Sequence, residues 1–175
     1  GTVTAYRESR QLDCTSVRAL PKGSIPLADL APSVGAVDGY WQFLDDIRAK
    51  LTAPRLRAVV DLFYADDEFR SRYQECPGAP GTGHHAAIGG LLQHTCEVVS
   101  IGKQMARVGG EIVTVGARLR DIGKLETYSW ETGVFDTTER GRLLGHVVQG
   151  YAMFRERMAA QTTPPCTAEE QMLIE

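Results

Sequence analysis

The fold of the chain is indicated most clearly by one stretch, Gly116-Ala117-Arg118-Leu119-Arg120-Asp121-Ile122-Gly123-Lys124. It has the pattern of a short apolar helix that is interrupted by charges. Arg120 stands in a series of apolar or very small residues at spacings of three, four and three: Val113, Gly116, Arg120, Gly123. Buried charges are costly unless they are paired or bind a metal. We therefore interpret Arg120 and the adjacent Asp121 as part of a candidate site.

The composition is typical of one main domain without a dedicated duplex-binding surface. The chain has 175 residues, 43% of them hydrophobic, a net charge of −3 and a pI near 5.8. Its cysteines are widely spaced and contain no CxxC pair, which favours a reducing compartment: Cys14, Cys76, Cys96, Cys166. We find no signal peptide and no apolar run near the ~18 residues of a membrane span. We therefore expect a cytoplasmic protein with no membrane partner.

Three segments are expected along the chain. Residues 1–20 carry apolar positions on both sides of Arg7-Glu8-Ser9-Arg10, which predicts two strands and a tight turn. A lone two-stranded hairpin is marginally stable in water, so we expect these strands to be the end of a truncated larger sheet. Residues 21–37 are rich in proline and glycine and have the composition of a linker. Residues 38–175 form the third segment, which is helical.

Helical spacing begins at residue 38. We predict that Asp38 caps the first helix, that Pro54 opens the second and that Asp66-Asp67-Glu68 starts a short third one. A long helix is predicted over residues 86–108, with this apolar seam: Leu91, His94, Val98, Ile101, Met105. The residues that follow predict the helix that carries Asp121.

Further elements are predicted toward the end of the chain. The pattern of residues 125–136 predicts a β-hairpin that turns near Gly133. A helix over residues 139–158 places four residues in line: Leu143, His146, Gly150, Met153. Thr167 and Glu170 have the spacing of a capping box, which predicts another helix start. Only five residues follow Glu170, so we expect the sequence to be a fragment of a longer protein.

His94, Asp121 and His146 are separated by 27 and 25 residues, about one helix and one connection each time. In antiparallel helices such spacing returns side chains to the same level, so the three side chains are predicted to converge. Imidazoles with a carboxylate suit iron, manganese, zinc or nickel, and a shared aspartate could bridge two ions for attack on a phosphoester. Hydrogen-bonded core histidines are the alternative.

Several basic side chains are candidates for phosphate contacts. His84 and His85 precede a predicted helix start, where donors are available to an anion, but they fit ordinary loop residues equally well. Lys124 follows Asp121 by three residues, which fits either a helix ion pair or a phosphate contact. Arg140 and Arg142 are placed either to contact a phosphodiester backbone or to be solvated residues in the first turn of a helix.

Three motifs together resemble the HD-domain metal-dependent phosphohydrolase superfamily. They are His84-His85-Ala86-Ala87-Ile88-Gly89-Gly90-Leu91-Leu92-Gln93-His94-Thr95, then Arg120-Asp121-Ile122-Gly123-Lys124, then Gly141-Arg142-Leu143-Leu144-Gly145-His146. Within the superfamily they look most like the YhaM-type 3′→5′ exoribonucleases. The resemblance implies an all-α HD-domain bundle, and it implies that residues 1–20 are the last strands of an OB-fold.

The resemblance also implies residue roles. His94 would be a ligand of a first divalent transition metal, Asp121 the aspartate of the His-Asp pair, and His146 a ligand of a second metal. Asp121 and Lys124 would be catalytic, with Lys124 acting at the phosphate. Separately from the resemblance, we predict that His84, His85, Arg120, Arg140 and Arg142 bind the substrate or its phosphate. The implied partner is single-stranded RNA or DNA, or a nucleotide, and a homo-oligomer is compatible with it.

Two features depart from the family pattern. Arg120 stands where the histidine of the pair is expected, and the chain ends before the later His-His and Asp ligands. A guanidinium has no lone pair for a metal. We hypothesise that Arg120 places its charge where the first metal would sit and pairs with Asp121, which would leave a pocket poor in metal.

The sequence thus predicts a metal-dependent phosphohydrolase, most similar to a 3′→5′ exonuclease on single-stranded RNA or DNA. One alternative is a catalytically degenerate HD domain that binds nucleic acid or nucleotide, or serves as an assembly module. Another is an HD hydrolase of nucleotides or signalling phosphates.

Overall fold

The computed structural model describes every residue except Lys22 and Thr82. Helices dominate, and two separate antiparallel hairpins accompany them. The helices are α1 (Leu27–Leu30), α2 (Asp38–Ala49), α3 (Pro54–Tyr64), α4 (Asp67–Glu75), α5 (Gly90–Gly109), α6 (Glu111–Leu119), α7 (Lys124–Thr127), α8 (Glu139–Ala159) and α9 (Ala168–Ile174). The strands are β1 (Thr2–Tyr6), β2 (Ser9–Asp13), β3 (Tyr128–Ser129) and β4 (Asp136–Thr137). Among the described residues, no helix combines the length and apolar character needed to cross a membrane.

The N-terminal hairpin is confirmed. β1 and β2 pair antiparallel, with Thr2 opposite Asp13. Arg7 and Glu8 make the turn with φ values of 45° and 68°, the left-handed conformation that tight hairpin turns require. Nearly all side chains of both strands are exposed. The assignment of this hairpin to a larger OB-fold sheet stays a prediction, as does the division at residues 21 and 38; Lys22 lies outside the described residues.

The inward faces of α2 and α3 lie in the core as predicted. Leu44, Ile47 and Leu51 are buried, and α3 buries Leu56, Val59, Val60 and Phe63. Pro54 is the first residue of α3, where its missing N–H costs no hydrogen bond. The prediction for Asp38 is wrong, because Val37 precedes α2 as its cap residue and Asp38 already has helical geometry.

The long helix α5 begins later than predicted and buries a different face. Gly89, in the left-handed conformation with φ 82°, ends a loop, and the helix starts at Gly90. Its buried face contains Leu91, Leu92, Thr95, Cys96 and Val99. Ile101 and Met105 are each 61% exposed, so the predicted seam is wrong toward the C-terminal end. His94 lies at the edge of the buried face, with its side chain 20% exposed.

Arg120 does not lie on a buried stripe, which corrects the prediction. α6 ends at Leu119, and residues 120–123 form a turn. Arg120 is the C-cap residue of α6, with its N–H still bonded to the Gly116 carbonyl, and its side chain is exposed. The buried arginine is Arg118, which is 2% exposed.

α8 is kinked at Gly145, whose φ and ψ of 70° and 166° are not helical. Because of the kink, residues of α8 before Gly145 do not lie on the same helix face as the residues after it that their spacing would predict. Leu143 is accordingly 78% exposed, so its predicted alignment with His146 is wrong.

The remaining C-terminal elements follow their local signals. The β3–β4 hairpin is shorter than predicted, because Leu125 belongs to α7. Thr167 and Glu170 form the predicted capping box of α9.

Candidate metal and phosphate site

Four side chains from four separate parts of the chain meet in one place. His94 comes from α5, Asp121 from the turn after α6, Lys124 from the first residue of α7, and His146 from α8 directly after its kink. The approach of α8 to this turn depends on the absence of a side chain at Gly123. A Cβ atom there would lie 2.0 Å from the His146 carbonyl oxygen.

Asp121 is the centre of the group. Its carboxylate is 4% exposed, and the two imidazoles contact different oxygens of it. His94 Nε2 lies 2.9 Å from Oδ2, and His146 Nε2 lies 3.3 Å from Oδ1. Lys124 Nζ lies 3.5 Å from Oδ1, which makes the predicted ion pair. Within the described part of the chain, Asp121 Oδ1 has no partner with hydrogen-bond geometry.

The charges of this group act strongly on one another. Burial raises the pKa of Asp121, but His146, Lys124 and Arg120 lower it by more, and the result is a pKa of about 2. Burial and the charge of Lys124 lower the pKa of His94. Burial lowers the pKa of Lys124, against the opposing effect of Asp121. The group therefore keeps an ionised carboxylate and favours a neutral His94, the protonation states that a metal requires.

Imidazole and carboxylate groups suit a divalent transition metal, although among the described residues His94, Asp121 and His146 do not bring three donor atoms within 4.8 Å of one another. Two imidazoles and one carboxylate are ligands that zinc, iron, manganese or nickel accept. Metal–ligand bonds of about 2.0–2.2 Å place neighbouring ligands about 3 Å apart, close to the observed 2.9 Å and 3.3 Å separations. Asp121 Oδ1 is approached by Lys124 Nζ and His146 Nε2 without hydrogen-bond geometry, so one of its lone pairs is available to a ligand.

His84 and His85 lie beside this group, in the loop before α5. Their ring centroids are 3.8 Å apart, and the His85 ring centroid is 5.4 Å from that of His94. His85 Nε2 lies 2.9 Å from Glu97 Oε2. Glu97 is not among the residues predicted from the sequence, although its position three residues after His94 on a helix indicates the same region. Phosphate binding by His84 and His85 stays a prediction.

The three arginines predicted to bind substrate are all exposed. Arg142 pairs with Asp136, with 3.1 Å between Nη2 and Oδ1. Arg140 lines a surface groove of about 530 Å³ together with Arg72 and Arg157. In the described structure, Arg120 does not come within 4.0 Å of the Asp121 carboxylate. The predicted ion pair between these two residues is therefore wrong. The charge of Arg120 nevertheless contributes to the low pKa of Asp121.

Fold and site together define a class: a helical domain that gathers two imidazoles and a lysine around one buried carboxylate. Among curated proteins, the chain is similar to the 3′-5′ exoribonuclease YhaM of Oceanobacillus iheyensis. The two are 27% identical over 159 residues, which cover 84% of this chain and 47% of that protein. The chain thus spans about half the length of the relative it matches. This match supports a distant relationship to YhaM.

Other comparisons give no further relative. No protein-family model matches the chain. No solved structure matches it either.

Proposed function

We propose that this chain carries an HD-type metal-dependent phosphohydrolase centre that removes nucleotides from the 3′ end of single-stranded RNA in the cytoplasm. The observation that carries the proposal is the meeting of His94, Lys124 and His146 at the Asp121 carboxylate. The distant relative is named a 3′-5′ exoribonuclease, which supports RNA as the substrate and the 3′ end as the point of attack.

A divalent transition metal would be held by His94 and Asp121, and a second one by Asp121 and His146. Such ions polarise a phosphoryl oxygen and lower the pKa of a bound water, which makes that water a nucleophile at neutral pH. The protein contributes the shape and charge of the pocket. Asp121 stays ionised because its pKa is about 2.

Lys124 acts on the phosphate in this proposal. Its Nζ lies 3.5 Å from Asp121 Oδ1, and its side chain is only 8% exposed. A buried, fixed cation stabilises negative charge that develops on a phosphoryl oxygen more strongly than a solvated one. Lys124 therefore offsets the charge of the transition state, while Asp121 keeps the ammonium group in position.

The RNA backbone contacts are local, because the net charge of the chain is −3. His84 and His85 supply donors at the rim of the site, and the exposed Arg120, Arg140 and Arg142 supply positive charge. In this proposal the N-terminal hairpin belongs to an OB-fold module that binds single strands.

The test uses single-stranded RNA labelled at its 5′ end, with Mn²⁺ present. We expect stepwise shortening from the 3′ end, and at least 100-fold slower shortening in Asp121→Asn. Asp29→Asn, which changes an exposed aspartate of α1, should keep the wild-type rate. Equal rates in Asp121→Asn and the wild type would refute the proposed centre.

A second candidate function is a catalytically degenerate module that binds RNA without cutting it. Arg120 favours this function, because it replaces a ligand of the resembled family with a cation. The degenerate module predicts RNA binding by fluorescence anisotropy without any shortening in Mn²⁺, Fe²⁺, Ni²⁺ or Zn²⁺. Shortening that depends on Asp121 would exclude it.

A further inference from the structure

A second group of metal-ligating side chains lies outside the centre described above. It consists of His84, His85 and Glu97, whose donor atoms all lie within 4.8 Å of one another. None of the three is a ligand in the proposed Asp121 centre, and with an ion bound here His84 and His85 would act on a phosphate through that ion and not as hydrogen-bond donors. We propose that these three residues form a separate binding site for a divalent transition metal of the zinc type.

The backbone brings two adjacent imidazoles to the same side. Consecutive side chains of an extended chain point in opposite directions, but His85 has a φ of 61° in the left-handed region. As a result, the ring centroids of His84 and His85 are 3.8 Å apart.

The unusual conformation of His85 is held by its surroundings. Its carbonyl oxygen accepts hydrogen bonds from the N–H groups of Gly78, at 2.9 Å, and Ala87, at 2.8 Å. Gly78 leaves room for this contact, since a Cβ atom at position 78 would lie 2.6 Å from the His85 Cβ. The structure thus fixes the backbone that presents both imidazoles, and a cation would not have to organise it.

Glu97 completes the group from α5. Its Oε2 lies 2.9 Å from His85 Nε2, and its Oε1 accepts a 3.3 Å hydrogen bond from Gln93 Nε2. The His85 side chain is 7% exposed, whereas that of Glu97 is 49% exposed and His84 is exposed. One ligand is therefore buried and held in place, while the other two leave an open path for an ion from solvent.

The donor chemistry determines which ion fits. Two imidazoles and one carboxylate favour Zn²⁺ or Co²⁺, whereas Mg²⁺ prefers oxygen ligands. Three protein ligands also leave coordination positions open for water or a phosphate oxygen.

The position of the site gives such an ion a role. The His85 ring centroid is 5.4 Å from that of His94, so the ion would add positive charge beside the Asp121 group. A dianionic or diester phosphate would be attracted to this edge of the pocket. The binding of the ion itself does not depend on the nuclease function proposed above.

The test is Co²⁺ binding, measured by calorimetry and by the visible absorption of the bound ion. It uses Asp121→Asn protein, in which the neighbouring centre has lost its shared carboxylate, and His146→Gln is a second background if Asp121→Asn fails to fold. In this background we expect one Co²⁺ site per chain, little competition from excess Mg²⁺, and displacement of Co²⁺ by Zn²⁺.

Three added substitutions locate the site. Glu97→Gln, His84→Ala and His85→Asn should each weaken Co²⁺ binding at least tenfold; asparagine is chosen because it tolerates the left-handed conformation. Glu156→Gln, on the exposed surface of α8, is the matched control and should leave the affinity unchanged. Circular dichroism confirms that each variant is folded.

Two outcomes would overturn the proposal. One is the absence of Co²⁺ binding in folded protein of both backgrounds. The other is a Co²⁺ affinity that Glu97→Gln and His84→Ala leave unchanged. Because the readout is metal binding, loss of this site and loss of RNA shortening are separate results.

Discussion

Gly123 packs directly against the backbone of Gly150, so that a Cβ atom at position 123 would lie 2.8 Å from the Gly150 Cα and 2.3 Å from its nitrogen. This contact joins the turn that carries Asp121 to the helix that carries His146. Gly123→Ala must push α8 away, and overpacking of this kind costs about 1–3 kcal/mol. We expect a loss of this size in the free energy of unfolding, measured by urea denaturation, together with weaker metal binding.

Gly116→Ala is the matched control in the preceding helix. Gly116 is inside α6, and a Cβ atom there would have no neighbour within 4 Å among the described atoms. Alanine has a higher helix propensity than glycine, so this variant should gain about 0.5–1 kcal/mol. A similar loss of stability in both variants would contradict the proposed role of the Gly123 contact.

Arg118 supports the core of the domain. Its guanidinium carbon lies 4.1 Å from the Tyr64 ring centroid, and its Nη1 donates a 2.8 Å hydrogen bond to the Leu44 carbonyl. Asp45 is 3.9 Å away, so the buried charge is weakly paired. Arg118→Ala removes the volume and the contacts, and we expect a loss of about 2–4 kcal/mol in the free energy of unfolding.

Arg118→Met separates the volume of this side chain from its charge. Methionine fills similar space without a buried cation, and removal of a weakly paired buried charge offsets the loss of the hydrogen bond to Leu44. The loss should stay below about 1.5 kcal/mol. A Met variant as unstable as Arg118→Ala in thermal and urea unfolding would show that the charge, and not the packing, stabilises this site.

The sequence predicted those parts of the fold that local signals define. Pro54 opens α3, Asp66 caps α4 through its bonds to the Glu68 and Phe69 amides, and Thr167 caps α9. Each signal acts within three or four residues, so it needs no tertiary information. The spacing of His94, Asp121 and His146 predicted that they meet, but the meeting also depends on the Gly123 contact and occurs beside the kink at Gly145, which spacing does not show.

Most of the errors concern features that depend on tertiary structure, and their causes differ. Periodicity assumes a continuous helix, but α8 is kinked at Gly145 and Arg120 is already the C-cap residue of α6. Which face of α5 is buried depends on the helices that pack against it, and Ile101 is therefore exposed. Glu97 was missed because its relation to His85 depends on the left-handed backbone of a loop residue.

The stability of the domain should depend on pH through the ionisation of Asp66. Its Oδ1 accepts hydrogen bonds from the Glu68 and Phe69 N–H groups, and its Oδ2 accepts one from Arg157 at 2.8 Å. The Phe69 bond is the largest cause of a pKa below the ordinary 3.8, although partial burial opposes it. A lowered pKa means that the ionised form stabilises the fold, so this contribution is complete above the unfolded pKa and declines as pH falls below it.

Asp66→Ala tests this contribution. At pH 7 we expect it to lose ~1 kcal/mol in the free energy of unfolding, since the cap is partly exposed. The difference from the wild type should shrink as the pH falls below about 3.8. Urea denaturation at several pH values measures both effects, and a difference that stays constant down to pH 2 would contradict the assignment.

Arg120→His tests why the Asp121 centre departs from the family it resembles. Arg120 is exposed at the end of α6, so the substitution should not disturb the core. It removes a charge that lowers the pKa of Asp121 and adds an imidazole beside the carboxylate. We expect Mn²⁺ and Co²⁺ to bind at least tenfold more tightly, as measured by calorimetry in the Glu97→Gln background, which removes the second proposed metal site.

Arg120→Gln distinguishes the two effects of that substitution. Glutamine removes the positive charge without supplying an imidazole, so it should tighten metal binding by less than histidine does. The difference between the two variants therefore measures the added ligand, and the difference between Arg120→Gln and the wild type measures the repulsion. If both variants bind Co²⁺ with the same affinity, position 120 influences the centre through its charge alone, and a missing imidazole at this position is excluded as the cause of weak metal binding.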